Sequence, residues 1–418
     1  MRRFRTGATM LLAVLVVLSG CTVVDISSET TPTPAPTTPS ETPSEGPPSA
    51  SNGTVTIQGD DPPFDADWAF TRTWALLDAD GPPPTVLIGS PDEFETATPH
   101  WGGEFTELLG VTPSNSRAEP ETEVDGFATA DRIVLTWEGD PNPAVAESIY
   151  VHELVHVIQY RSTPLETDVD ARDERWSSTD DRLLETALLE GAAGYTEAEY
   201  ADRYIDDSLG YEPPLGVARY ANASGTERLA LAPYHFGHEY AIDRLDHPRE
   251  HHELYEDPPM TTSELLDGDP DSDAPYPRIE MSVTADEWES AERDRMGQLY
   301  LRVVLSELHS EEEAANATSG WVDDVRVTVE SDDQKAHALA VRWDTDDDAA
   351  AFADAMETHL EAEFDREHEG CEPECAFAVE QPDDRTTVVL VGAASFVENA
   401  SVSVDDDNVT VAGPGESS

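Results

Sequence analysis

Residues 143–161 read PAVAESIYVHELVHVIQYR, and most of the chain can be placed around them. Asn142 followed by Pro143 is a helix start, with Asn as the cap and Pro in the first turn. The apolar residues Ile149, Val151, Leu154, Val155, Val157 and Ile158 then continue to about Arg161, and the pattern stops before Pro164. So many apolar residues predict a helix buried on several sides. His152 and His156 lie four apart, so their imidazoles leave one face a turn apart and can bind one metal ion. Glu153 sits beside that ion, placed to accept a proton from a water there. Zinc suits such a pair, because it lowers the pKa of its water to about 7. The bland reading is a core helix carrying two polar histidines.

A catalytic metal wants a third protein ligand and an open position. A second helix is predicted from Ser177-Ser178 to about Tyr204, and Glu190 lies on it in LLEGAAGY, residues 188–195. The small residues after Glu190 would let this helix pack closely on the histidine helix. Glu185 and Glu197 are rival ligands on the same helix. The small residues could equally serve packing alone, with Glu190 a surface acid.

Working outward, Phe64–Leu77 reads as a helix, and Thr85–Ile88 and Arg132–Trp137 (RIVLTW) as strands. A third helix is predicted over Phe236–Leu245, and a fourth from Ala285 to His309. Beyond that the pattern changes: strands at Val325–Val329, Leu339–Trp343 and Thr386–Val391, with a helix over Asp346–Phe364. The expected fold class is α+β. The expected divisions are an export signal at 1–20, a stalk at 21–57, a catalytic domain at 58–310, a C-terminal α+β region at 311–404 and a flexible tail at 405–418.

The chain carries 88 acidic and 24 basic residues, for a formal net charge of −64, and Lys335 is its one lysine. Regularly spaced apolar residues argue against a disordered acidic chain. A dense carboxylate surface fits a folded protein adapted to high salt, where repulsion is screened within a few ångström. No basic patch exists to meet phosphates, which argues against nucleic-acid binding.

MRRFR, the short apolar run Met10–Leu18 and the closing Leu18-Ser19-Gly20-Cys21 read as an export signal with a lipobox, so Cys21 is the expected lipid anchor. Arg2-Arg3 is a weak hint of twin-arginine export. TPTPAPTTPSETPSEGPP reads as an extended stalk. Sequons at Asn52, Asn222, Asn316, Asn399 and Asn408 fit an exported protein. Cys371 and Cys375 make a local disulfide plausible outside the cell. His251-His252 and Asp271–Asp273 could suggest a second metal, but acids in so acidic a chain are ordinarily just solvated.

HELVH with a downstream EGxA glutamate resembles the gluzincin branch of zinc metallopeptidases. Gln159 resembles the HELxHALQ form of secreted prokaryotic members. Pro233-Tyr234 with Gly237, Pro258–Glu264, Gly320-Trp321 and Arg342-Trp343-Asp344 resemble their PYxxG, PPxTTEQ, GW and WD segments. The resemblance spans about Phe64–Phe364 and is closest to haloarchaeal surface lipoproteins. Val157-Ile158 and Tyr160-Arg161 depart from it, which touches substrate preference rather than ligands. It implies a zincin-like domain in which His152, His156 and Glu190 hold zinc. Glu153 would serve as general base and Tyr234 as an oxyanion donor, with His235 and His238 behind it. A peptide would be the substrate, held in extended form along an edge presented by RIVLTW and cleaved at the outer face of a membrane. The competing expectation is a non-catalytic surface binding or structural protein on the same scaffold, and a weaker one is a hydrolase of envelope glycans.

Overall fold

The computed structural model describes residues 19–22, 53–91, 94, 103–113, 123–162, 178–205, 215–256, 258–267, 279–331, 334–365 and 375–415. The signal sequence upstream of Ser19, nearly all of the stalk, Asn52, Asp271–Asp273 and Cys371 lie outside the described residues.

The fold is mixed α+β. Its first sheet holds β1 (Ser19–Thr22), β2 (Thr56–Gly59), β3 (Thr85–Gly89), β4 (Glu123–Thr129) and β5 (Arg132–Trp137), in the order β1-β4-β5-β3-β2. β5 runs parallel to β3 and antiparallel to β4. RIVLTW is therefore an interior strand, and the expectation that it offers a free edge is corrected. β4, which the sequence did not announce, is the strand beyond it. β1 pairs with the far side of β4, with Cys21 opposite Val124, so the expected signal cut before Cys21 falls inside a strand. One core forms where this sheet packs on α1 (Ala66–Leu77) and α3 (Pro143–Ser162). The short α2 spans Glu104–Leu108.

α3 starts as expected, with Asn142 Oδ1 accepting from Ala144 N at 2.9 Å. Its residues from Ile149 to Gln159 are all buried, so it is a helix without a wet face. α4 (Thr179–Tyr204) opens with a capping box, in which Ser178 Oγ accepts from Asp181 N and Asp181 accepts from Ser178 N. α5 (Leu215–Tyr220) and α6 (Gly225–Arg244) follow. The helix expected over Phe236–Leu245 thus begins eleven residues earlier and passes through Pro233. A proline inside a helix costs about 3 kcal/mol. Here Leu229, Leu231, Ala232 and Phe236 are buried on both sides of it, and that burial holds the helix together.

α7 (Glu253–Glu256) and α8 (Thr262–Asp267) precede β6 (Glu280–Thr284) and β7 (Glu289–Asp294). α9 covers only Gly297–Leu305. The long helix expected over Ala285–His309 is therefore corrected. Its first part is an exposed, charged edge strand held by pairing with the strand Trp321–Ser331, and Gly297, at φ +84°, marks the break. After α10 (Glu311–Thr318) come β8 (Trp321–Ser331), β9 (Gln334–Trp343), α11 (Asp346–Phe364), β10 (Cys375–Asp383), β11 (Thr386–Ala393) and α12 (Ala394–Val397). The second sheet has the order β10-β11-β9-β8-β7. Because β7 belongs to it, the C-terminal unit starts before the expected boundary at 311. Cys375 is disulfide-bonded.

The expected flexible tail is also corrected. β12 (Ser401–Asp405) and β13 (Asn408–Ala412) form a hairpin, and β13 adds parallel to β6. Val409 and Val411 are buried against the second sheet, which fixes the register. The other face of that sheet joins α4, α6, α9 and α11 in a single core that includes Leu184, Leu188, Phe236, Leu299, Trp343 and Phe352. Among the described residues no helix is long and apolar enough to cross a membrane.

Candidate metal centre

α3 and α4 pack side by side, and α6 crosses α4 at backbone contact. A Cβ on Gly191 would lie 2.2 Å from the Gly237 carbonyl oxygen, and one on Gly237 would lie 2.0 Å from that of Ala187. Only glycine permits this approach, and Glu190, the residue before Gly191, is buried between α4 and α3.

His152, His156 and Glu190 meet there, with one ligand atom from each within 4.8 Å of the others. The two imidazole centroids are 4.8 Å apart and the rings nearly perpendicular, at 77°. Glu190 Oε2 lies 3.0 Å from His152 Nε2 and 3.4 Å from His156 Nε2. Exposure is 4% for His152, 3% for His156 and 1% for Glu190.

Two atoms test whether the trio fits a metal. Buried His156 Nε2 and Glu190 Oε1 have no hydrogen-bond partner among the described residues. Burying such groups unpaired is costly, and a cation between the three side chains would satisfy both. Electrostatics point the same way. Burial alone would lower the His152 imidazole, but bonds and charge from Glu190 and Glu197 raise it well above 6.5. Burial would lower His156 too, and Glu190 raises it. Burial would raise the Glu190 carboxyl, yet the two histidines hold it down at about 2. The carboxylate is thus ionised where it meets the two imidazoles. The group can hold a metal ion.

The remaining ring nitrogens are engaged behind the centre. Glu197 Oε2 lies 3.1 Å from His152 Nδ1, and its other oxygen accepts from Ser148 Oγ at 2.8 Å. Glu197 therefore backs His152 and lies outside the group that can hold a metal. Glu185 is buried on α4 but lies outside the trio. Gln159 Oε1 lies 2.6 Å from His156 Nδ1. Spacing alone could not separate Glu190 from Glu197, since seven residues return to the same helix face.

Glu153 is fully buried beneath β4, where a Cβ on Gly126 would lie 2.8 Å from its Cγ. Tyr234 on α6 lies with its ring near-parallel to His152, centroids 6.4 Å apart. His235 turns away and stacks on Tyr220 at 4.5 Å. His238 is buried, and desolvation lowers it to about 4. His251 Nδ1 bonds to the Pro248 carbonyl. Among the described residues no second metal-binding cluster occurs. Asn222, Asn316, Asn399 and Asn408 are all exposed.

Residues 284–415 match a family described as a domain of unknown function, DUF8575. That stretch covers β7 to β13, takes only the last residue of β6, and excludes His152, His156 and Glu190. No curated protein and no solved structure matches the chain.

Proposed function

We propose that this chain is a zinc-dependent hydrolase of gluzincin type, acting on peptides, with a zincin-like arrangement around α3 and α4. The observation that carries the reading is the buried convergence of His152, His156 and Glu190, with His156 Nε2 and Glu190 Oε1 left unpartnered among the described residues, backed by acceptors on both Nδ1 atoms. Two imidazoles and a carboxylate are the donor set of an open catalytic zinc site. Zinc bound there would supply a Lewis acid that polarises a carbonyl and acidifies water. Glu153, adjacent in sequence to His152 and fixed under β4, would take the proton of the attacking water and hand it to the leaving nitrogen. Tyr234, on the same side as His152, would donate to the developing oxyanion. The signal, lipobox Cys21, stalk and acidic surface support a lipid-anchored enzyme outside the cell in high salt.

A metal kept for folding alone is the second reading, favoured by the near-complete burial of the ligands. Zinc quantification and peptide cleavage in molar salt separate the two. The hydrolase reading expects stoichiometric zinc in wild type, and a Glu153→Gln chain that keeps the zinc and loses turnover. Full activity in that variant, or metal-free wild type, overturns it. A structural metal predicts lower stability on chelation with no cleavage of any peptide in a library.

A further inference from the structure

Gln159 lies 2% exposed at the end of the histidine turn and belongs to no ligand set. Its amide nitrogen is 2.8 Å from the Leu189 carbonyl and 2.7 Å from Tyr255 Oη. A backbone carbonyl only accepts, so that end of the amide must be its NH2. Both hydrogens are thereby used, and Tyr255 turns its own toward the Leu188 carbonyl at 3.4 Å. The amide oxygen is left facing His156 Nδ1 at 2.6 Å. An amide oxygen can only accept, so Nδ1 carries the hydrogen. In the neutral ring Nε2 then has a free lone pair, and this is the buried atom that faces Glu190.

We infer that Gln159 is a positioning residue that selects the metal-binding tautomer of His156. The assignment rests on the metal-site reading above. The two imidazoles of α3 are thus set by different devices: His152 by the carboxylate of Glu197, His156 by a neutral amide. That amide is itself oriented by Leu189, the residue preceding the third ligand, and by Tyr255 of α7. Without an acceptor at Nδ1, the ring is free to carry its hydrogen on Nε2 and present it to the site, where it would block the ion.

The test is zinc affinity by chelator competition in molar salt, with the visible spectrum of the cobalt-loaded protein as a second readout. Gln159→Met keeps the length of the side chain and removes the acceptor, and should weaken zinc by at least about tenfold. Gln159→Glu keeps the acceptor while losing the donors to Leu189 and Tyr255, and should bind zinc within about threefold of wild type, with an unchanged cobalt spectrum. Wild-type affinity in the Met variant, or a Glu variant as weak as the Met one, overturns the inference; the latter would mean that the tie to Leu189 is what matters. If the Met variant does not fold, the Glu variant decides alone: tight binding supports the inference and weak binding ends it. Wild type that binds no zinc would instead sink the metal-site reading.

Discussion

Adding one methyl group at Gly191 tests how the centre is built. Its Cβ would lie 2.2 Å from the Gly237 carbonyl oxygen, whereas ordinary contact begins near 3.4 Å. The helices would have to part by about 1.2 Å, since both groups are tied to backbone and no rotamer relieves the clash. Overpacking typically costs about 1–3 kcal/mol, and a shift of this size lies at or above the top of that range. Alanine returns about 1 kcal/mol through helix propensity. Gly191→Ala should therefore lose about 2 kcal/mol net, read as a lower urea midpoint by circular dichroism in molar salt. Glu190 is the preceding residue, and displacing it beyond about 0.5 Å should weaken zinc at least about tenfold. Gly237→Ala, 2.0 Å from the Ala187 oxygen, should behave alike. If either variant gains about 1 kcal/mol, as propensity alone demands, the close helix crossing is not what holds this layer.

Glu197→Ala removes the acceptor behind His152 and should weaken zinc about 10–100-fold by chelator competition, while the far-UV spectrum is kept. Asp294 accepts from Thr179 N at 2.8 Å and from its hydroxyl at 2.7 Å, so Asp294→Ala should cost about 1–2 kcal/mol in urea titration. Burial pushes His337 down to about 3. A lowered histidine stabilises the fold above its ordinary 6.5 and loses that contribution as pH falls toward 3, by about 2 kcal/mol at pH 5. Burial raises Asp180 to about 6 and Asp324 to about 7, and these work in the opposite sense, with stability present in acid and lost as pH rises through 7. The difference between wild type and His337→Gln isolates the histidine. If the two lose equal stability between pH 7 and pH 5, the assignment fails.

The parts of the site that were legible in sequence are those written in local chemistry. Asn142-Pro143 and Ser178 announce the starts of α3 and α4, and the four-residue spacing of His152 and His156 sets one helix face. What escaped depends on partners far along the chain. β4 carries Gly126 and only a short apolar run, so nothing local announces a strand over Glu153. β7, in the sequence ESAERD, is a strand only because β8 lies beside it. Pro233 marks a helix end in any local reading, and burial on both sides of it carries the helix through. The alternation Val402, Val404, Val409, Val411 was visible but sat around an acidic run, and its meaning depended on β6, over a hundred residues earlier. Gln159 is legible in sequence only through a resemblance. Its task is evident once Leu189 and Tyr255 stand beside it.

The apolar core shared by α4 and the second sheet bears on how the C-terminal stretch should be handled. A fragment beginning at residue 284 would cut β6 at its last residue. It would remove Leu184, Leu188 and Phe236 from the core that also holds Leu299, Tyr300 and Trp343, leaving a wet, sticky flank. Activities screened on such an excised piece would report on a wound. The family border runs through the middle of a joint, and the piece beyond it is the floor on which the helix carrying Glu190 stands.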